Sequence, residues 1–177
     1  MDVIREIGGV EEKLRYVMDY ELWLQFIFRY GTQGIRLIPD SLAVFRLHDE
    51  SKTVSEHRGF IDEMASVLLG LCRSTYNDDL VAFLEIGHDI TPGLRSVPTK
   101  LEPHQVIVRK MVLRFLFKWN AVIGNKKQFR MMRGLVNAID PKELGAHEES
   151  LQRFHRLKRE LSPPSWNLYR VKRKLRS

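Results

Sequence analysis

Two acidic residues, Asp19 and Glu21, lie within a segment whose apolar residues have helical spacing. The positive end of a helix dipole favours the ionised form of a carboxyl group, which is the form that accepts a proton. Trp23 follows two residues later and offers a flat ring for stacking. A carboxylate of this kind can act as a general base and an indole can form a stacking surface, but the acid could equally be a plain helix cap and the tryptophan plain core.

A second pair of candidate residues, Arg46 and His48, lies at the end of a predicted strand. Side chains two residues apart in a strand point to the same face, so we expect both to face one ligand. A guanidinium can pair with phosphate through two hydrogen bonds, and a neutral imidazole can bind Mn²⁺ or a similar divalent ion. The simpler interpretation of His48 is an ordinary surface histidine at a strand end.

The elements that would position these residues are mixed over the first 56 residues. Apolar side chains at spacings of three and four predict a helix over residues 11–30. Two short strands are predicted next, at 35–38 and 42–48, because each run is rich in branched apolar residues and is bounded by turn residues. The polar segment 49–55 is predicted to be a loop.

Residues 57–177 differ from the first region in that their apolar residues recur at helical spacing throughout. This pattern predicts a series of amphipathic helices. A proline-containing segment, 89–103, interrupts the series as a linker or long loop. The helix predicted over 104–123 is strongly apolar, except that Lys110, Arg114 and Lys118 are spaced four apart. This helix could pack in a bundle with its three cations facing water, or it could lie at a membrane interface.

Four pieces of the first region, taken in order, resemble the closing half of the catalytic domain in GT-A-type, family 2 glycosyltransferases. That family has a glycine turn, a D-x-[DE]-L-W-L helix start, a strand ending in R-x-H, and a serine-rich loop. The corresponding pieces here are Gly8-Gly9, Asp19-Tyr20-Glu21-Leu22-Trp23-Leu24, Arg46-Leu47-His48, and the loop with Ser51 and Thr53. The resemblance covers roughly residues 5–56, a little under a third of the chain.

The resemblance implies a role for each candidate residue. Asp19 would be the general base toward an acceptor hydroxyl, and Glu21 would orient it or contact the acceptor. Trp23 and Arg46 would bind substrate, while His48 would join a divalent metal, Mn²⁺ or Mg²⁺, that holds the nucleotide diphosphate. The implied substrates are a nucleotide-diphosphate sugar and a glycan acceptor, in the synthesis of a polysaccharide or glycoconjugate.

The sequence departs from the family pattern in two ways. Gln25 stands where the family often has an arginine, which weakens any charge-based role at that position. The alternating strands and helices that bind the nucleobase, and the D-x-D-like metal motif, are not found. We therefore expect a partial transferase that is inactive alone, with an exposed sheet edge where the nucleotide-binding half would pair.

Together these patterns predict an α+β, mostly α-helical protein. Residues 1–56 are interpreted as the C-terminal portion of a GT-A-like catalytic domain, made of short strands and a helix. Residues 57–177 are interpreted as a helical C-terminal region that ends in a basic tail at 153–177.

The net charge of +7 is concentrated in that tail, which has nine Lys/Arg residues against one acid and so sums to +8, leaving −1 for the rest of the chain. A basic tail attracts anionic lipid or nucleic acid, or is simply a solvated helix end. Nucleic acid is the less favoured partner, because no RNA- or DNA-binding motif is present. The alternative to a transferase is therefore a non-catalytic helical module that binds a membrane surface or a partner protein through its basic C-terminus.

Cys72 is the single cysteine, and an internal disulfide is excluded. It lies among apolar residues at helical spacing, which indicates a buried small hydrophobe and not a reactive thiol. No signal peptide and no membrane-spanning run are predicted. We therefore expect a cytoplasmic protein, with peripheral contact at the inner face of the membrane as an option left open.

Overall fold

A computed structural model of the protein describes residues 2–33, 35–36, 38–39, 56–99, 101–119, 125–145, 148–162 and 165–174. These residues are mostly helical, which confirms the coarser part of the predicted fold class. In chain order the helices are α1 (Asp2–Glu6), α2 (Met18–Tyr30), α3 (His57–Ser74), α4 (Asp78–Glu85), α5 (Leu101–Trp119), α6 (Lys126–Ala138), a 3-10 helix (Pro141–Leu144), α7 (Glu148–Glu160) and α8 (Trp166–Lys174).

The described residues contain no β-strand. The strand predicted at 35–38 is therefore wrong for its three described residues, Ile35, Arg36 and Ile38. The amide of Ile35 instead donates to the carbonyl oxygen of Thr32 at 3.0 Å, which closes a turn after α2. The second predicted strand, 42–48, lies outside the described residues.

The first long helix, α2, starts later than its apolar spacing indicates. The prediction began this helix at residue 11, whereas the structure begins it at Met18. The amides of Arg15, Tyr16 and Val17 all donate to the carboxylate of Glu63, at 2.9, 2.7 and 3.1 Å. Three successive amides that point at one carboxylate cannot also extend a helix, so the chain turns before α2 begins.

The helical region after residue 56 matches the predicted apolar stripes closely. Helix α3 buries Ala65, Leu68, Leu71 and Cys72, and α4 buries Leu80 and Leu84. Helices α3 and α4 pack against each other, and both pack against α5. Apolar spacing at 3.6 residues was sufficient to identify these helices because it marks residues of each helix that pack in the core.

Helix α5 lies in the middle of this region and contacts α3, α4, α7 and the 3-10 helix. Its buried residues include Val112, Leu113, Leu116 and Phe117. The bundle alternative is therefore the one that forms, although Arg114 does not face water freely, because its Nη2 atom donates to the carbonyl oxygen of Leu144 at 3.3 Å. Across the described segments, no helix combines the length and apolarity needed to cross a bilayer.

The C-terminal helices are joined to this core by aromatic contacts. Phe154 of α7 meets Phe117 of α5 edge-on, with ring centroids 5.4 Å apart. Phe129 of α6 contacts two rings of α8, Trp166 at 5.9 Å and Tyr169 at 5.1 Å. Burial of large rings contributes more stability per residue than most contacts, so these pairs fix α6, α7 and α8 on the bundle.

Candidate functional site

Helix α2 separates the candidate residues onto two faces. Its buried face carries Glu21, Leu24, Gln25 and Phe28. Asp19 is exposed in the first turn, and the Trp23 side chain is 58% exposed. Residues four apart are neighbours on a helix surface, so these two predicted site residues share one solvent-facing surface.

An aromatic row extends from Trp23 along this exposed side of α2. The Trp23 and Phe26 rings meet edge-on with centroids 6.2 Å apart. Phe26 in turn contacts Tyr30, with centroids 5.3 Å apart. An exposed tryptophan supported by a second ring offers a flat apolar surface of fixed orientation, which is what stacking on a sugar ring requires.

A shallow apolar cleft of ≈ 420 Å³ borders the same tryptophan. Helix α1 and the segment after α2 form its other walls. The cleft is lined by Val3, Ile4, Ile7, Leu22, Trp23, Phe26, Ile35 and Arg36. Its volume lies within the range of small-molecule sites, and Arg36 is the one cation among the lining residues that the structure describes.

Glu21 lies on the buried side, with only 2% of its surface exposed. Arg95 donates two hydrogen bonds to its carboxylate, from Nε to Oε1 at 2.8 Å and from Nη2 to Oε2 at 2.6 Å. The amide of Gln25 donates to the same Oε1 at 2.7 Å. The structure thus places Glu21 away from the face that carries Asp19, and its predicted role beside that residue stays a prediction.

Arg95 connects the glycine turn to α2. Its Nη1 and Nη2 atoms donate to the carbonyl oxygens of Ile7, at 3.1 Å, and Gly9, at 2.6 Å. Gly8 has a φ of 87°, and a Cβ atom there would lie 2.8 Å from Nη1 of Arg95. The glycine turn is therefore required by backbone conformation and by the close approach of this guanidinium.

The same arginine is held firmly in its ionised form. The hydrogen bond to Glu21 raises the pKa of Arg95 further above its already high value. Its backbone amide donates to Oε2 of Glu11 at 3.1 Å, and this bond lowers the pKa of Glu11 below its ordinary value. The start of α2 is thus fixed by charge-assisted hydrogen bonds on its buried side.

Two residues that position the site were missed from the sequence. Arg95 lies in the proline-containing segment interpreted as a linker, where no periodicity singles it out. Glu63 lies on α3, in the region predicted only as a series of amphipathic helices, and it is buried and binds three amides that precede α2. The only available signal was an acid inside an otherwise apolar helix pattern, which is common on helix surfaces.

The predicted metal and phosphate contacts are not tested by this geometry. Arg46 and His48 lie outside the described residues. Among those that are described, no group of three or more His, Cys, Asp and Glu side chains is arranged to hold a metal ion.

Cys72 is fully buried in α3, as predicted. Burial raises the pKa of its thiol to about 12. Because the thiolate is the reactive form, burial disfavours reaction of this cysteine in the folded protein.

Comparison of the chain with protein-family models, with curated proteins and with solved structures gives no significant match. A function must therefore be argued from the motifs of the first fifty residues and from the geometry of α2.

Proposed function

We propose that this chain provides the acceptor side of a GT-A-type, family 2 glycosyltransferase. The observation that carries the proposal is the shared exposed face of Asp19 and Trp23 at the start of α2. A carboxylate in the first helical turn with an exposed indole one turn later supplies both a proton acceptor and a stacking surface.

The proposed chemistry is a displacement at the anomeric carbon of a nucleotide-diphosphate sugar. As the acceptor hydroxyl oxygen forms its bond to that carbon, Asp19 takes the hydroxyl proton. The bond from the anomeric carbon to the diphosphate breaks, and its electron pair leaves with the nucleoside diphosphate. Trp23 would hold the acceptor ring so that one hydroxyl lies close to the Asp19 carboxylate. Binding would then fix the relative orientation of the hydroxyl and the base before the reaction.

The rigid support of the helix start favours such a role. Glu63 binds the three amides that precede α2, and Arg95 binds Glu21 in its first turn. Catalytic groups have to be held within a fraction of an ångström, and buried charge-assisted hydrogen bonds are well suited to that. On this proposal Glu21 is a positioning residue that acts through the helix and not through direct contact with the acceptor.

The donor site belongs to other elements. The base-binding strands and the D-x-D-like motif are not found in the sequence, and the divalent ion has no site among the described residues. The chain alone is therefore expected to bind an acceptor weakly and to transfer no sugar.

Saturation-transfer difference NMR tests the acceptor site on the chain as it is. A panel of common monosaccharides and disaccharides is titrated into the protein, because this method detects millimolar binding. We expect transfer to the ring protons of at least one sugar, and its loss in Trp23→Ala. The matched control is Leu168→Ala, which truncates an equally exposed apolar side chain on α8. Sugar binding that survives Trp23→Ala, or that is lost equally in both variants, would remove Trp23 from the site.

The base role is tested in the complete enzyme. The DNA upstream of the first codon is read for a segment that encodes the D-x-D-like half, and the two polypeptides are assayed together with nucleotide-diphosphate sugars. We expect Asp19→Asn to lower kcat by about 10²- to 10⁴-fold while acceptor binding by NMR is kept. Near-normal turnover in Asp19→Asn, or an unrelated upstream segment, would count against the proposed function.

A further inference from the structure

Helix α6, like α8, carries four cations and no acid. Lys126, Lys127 and Arg130 are exposed. No acidic side chain of the described chain pairs with any of these three. In water, like charges on neighbouring turns repel one another, so this surface is stabilised when an anion lies against it.

The position of the two lysines adds to this effect. Both lie in the first turn of α6, which contains no acidic residue. The positive end of the helix dipole disfavours cations there and favours an anionic group. Asn125 caps the helix by accepting the amide of Gln128 at 2.9 Å, so the helix end is well formed despite its charge.

The cations of α7 are arranged quite differently. Arg153 pairs with Glu149 at 2.9 Å, and Arg156 pairs with Glu160 at 2.9 Å, each with a partner four residues away. Two of the four cations that α7 contributes to the predicted basic tail are therefore paired within their own helix. The cations of α6 lie outside that tail, in the part of the chain whose net charge is near zero.

Helix α8 extends this surface. It also contains no acidic residue, and it packs on α6 through the contacts of Trp166 and Tyr169 with Phe129. It exposes Arg170, and the Leu168 side chain is 53% exposed. We call α6 and α8 together, with Lys126, Lys127, Arg130, Leu168 and Arg170, the α6–α8 surface.

The aromatic rings of this surface distinguish between two kinds of polyanion. Proteins that bind single-stranded nucleic acid stack bases on exposed rings. Here Trp166 stacks on Tyr169 with centroids 5.5 Å apart, and both rings contact Phe129 inside the helix pair. The exposed large apolar side chain of α8 is aliphatic Leu168, which suits the boundary between lipid headgroups and acyl chains.

We propose that the α6–α8 surface docks this protein on an anionic membrane surface. The cations lie against lipid headgroups, and Leu168 enters the interfacial layer. This proposal is independent of the transferase chemistry, because it uses no residue of α2.

Vesicle co-sedimentation tests it on the full chain. Vesicles of phosphatidylcholine are compared with vesicles that also contain phosphatidylserine, at low and at physiological salt. We expect binding only to the anionic vesicles, and weaker binding as salt is raised. The variant Lys126→Gln/Lys127→Gln/Arg130→Gln should lower the partition coefficient roughly a hundredfold, at about fivefold per cation near an anionic surface.

The matched control removes the same charge from paired positions, in Arg73→Gln/Arg153→Gln/Arg156→Gln. Arg73 pairs with Glu85 at 2.7 Å, so all three control cations have acidic partners. We expect a much smaller loss in this variant, with circular dichroism showing both proteins folded. Equal losses in the two variants, absence of binding to anionic vesicles at low salt, or tighter binding to a homopolymer RNA than to the vesicles would each overturn the proposal.

Discussion

Arg95 and Glu21 form a two-pronged ion pair that ties the irregular segment before α5 to the buried face of α2. The Glu21 side chain is 2% exposed and that of Arg95 is 24% exposed, so water screens this pair poorly. The pair divides α2 into a structural side and an exposed side with Asp19. We therefore expect substitutions of Asp19 and Glu21 to have different effects on the stability of the protein.

Glu21→Gln should lower the free energy of unfolding by about 2–4 kcal/mol, because the Arg95 guanidinium loses its charged partner in a poorly hydrated site. The matched variant Asp19→Asn should change it by less than about 0.5 kcal/mol, because that side chain is exposed. Urea denaturation followed by circular dichroism measures both. Similar losses in the two variants would contradict the division of α2 into two faces.

Glu63→Gln should cost about 1–3 kcal/mol of unfolding free energy, because three amides in a buried or part-buried setting lose an ionised acceptor. Chemical denaturation of the variant is compared with that of Glu85→Gln. Glu85 forms an exposed ion pair with Arg73, which contributes less than about 1 kcal/mol. If Glu63→Gln were no more destabilising than Glu85→Gln, the carboxylate would not be what holds the start of α2.

Two glycines of α3 should respond to alanine in opposite directions. At Gly59 an added Cβ would lie 2.6 Å from Cε2 of Tyr16, so Gly59→Ala forces that ring to move and should lower the melting temperature. At Gly70 nothing lies within 4 Å, and Gly70→Ala should stabilise the protein by up to about 1 kcal/mol through helix propensity. Thermal melts of both variants check the prediction, and an equal response would contradict the packing of Tyr16 on α3.

Cys72 should resist thiol reagents in the folded state. Its pKa is raised to about 12 by burial, so almost no thiolate is present at pH 8. We expect slow reaction with Ellman's reagent in buffer and one fast equivalent in denaturing urea. A fast equivalent in buffer would mean that α3 opens readily around this residue.

Acid should weaken the contact between Glu11 and Arg95. The backbone hydrogen bond from Arg95 lowers the pKa of Glu11, so its contribution to stability is present above the unfolded pKa of about 4.3 and is lost as pH falls through the lower folded value. The stability difference between wild type and Glu11→Gln should therefore shrink from pH 7 toward pH 3. Glu12→Gln, at the exposed neighbouring position, controls for net charge. A difference that stays constant over this range would contradict the predicted linkage.

Much of the helical region could be predicted because its signal is local. The spacing of apolar residues in α3, α4, α6 and α7 reports directly which side of each helix is buried. The same logic predicted the burial of Cys72. Apolar spacing did not predict the start of α2 correctly. The spacing continues back to Leu14, but the amides of residues 15–17 donate to the carboxylate of Glu63, far away in the sequence.

The sequence by itself determined the helical class, the series of amphipathic helices after residue 56, and the placement of Asp19 and Trp23 one turn apart, because these follow from residue type and spacing. Only the tertiary structure decided that Glu21 is buried against Arg95 and that Glu63 binds the amides before α2. Those outcomes depend on partners that lie dozens of residues apart, and local spacing does not encode them.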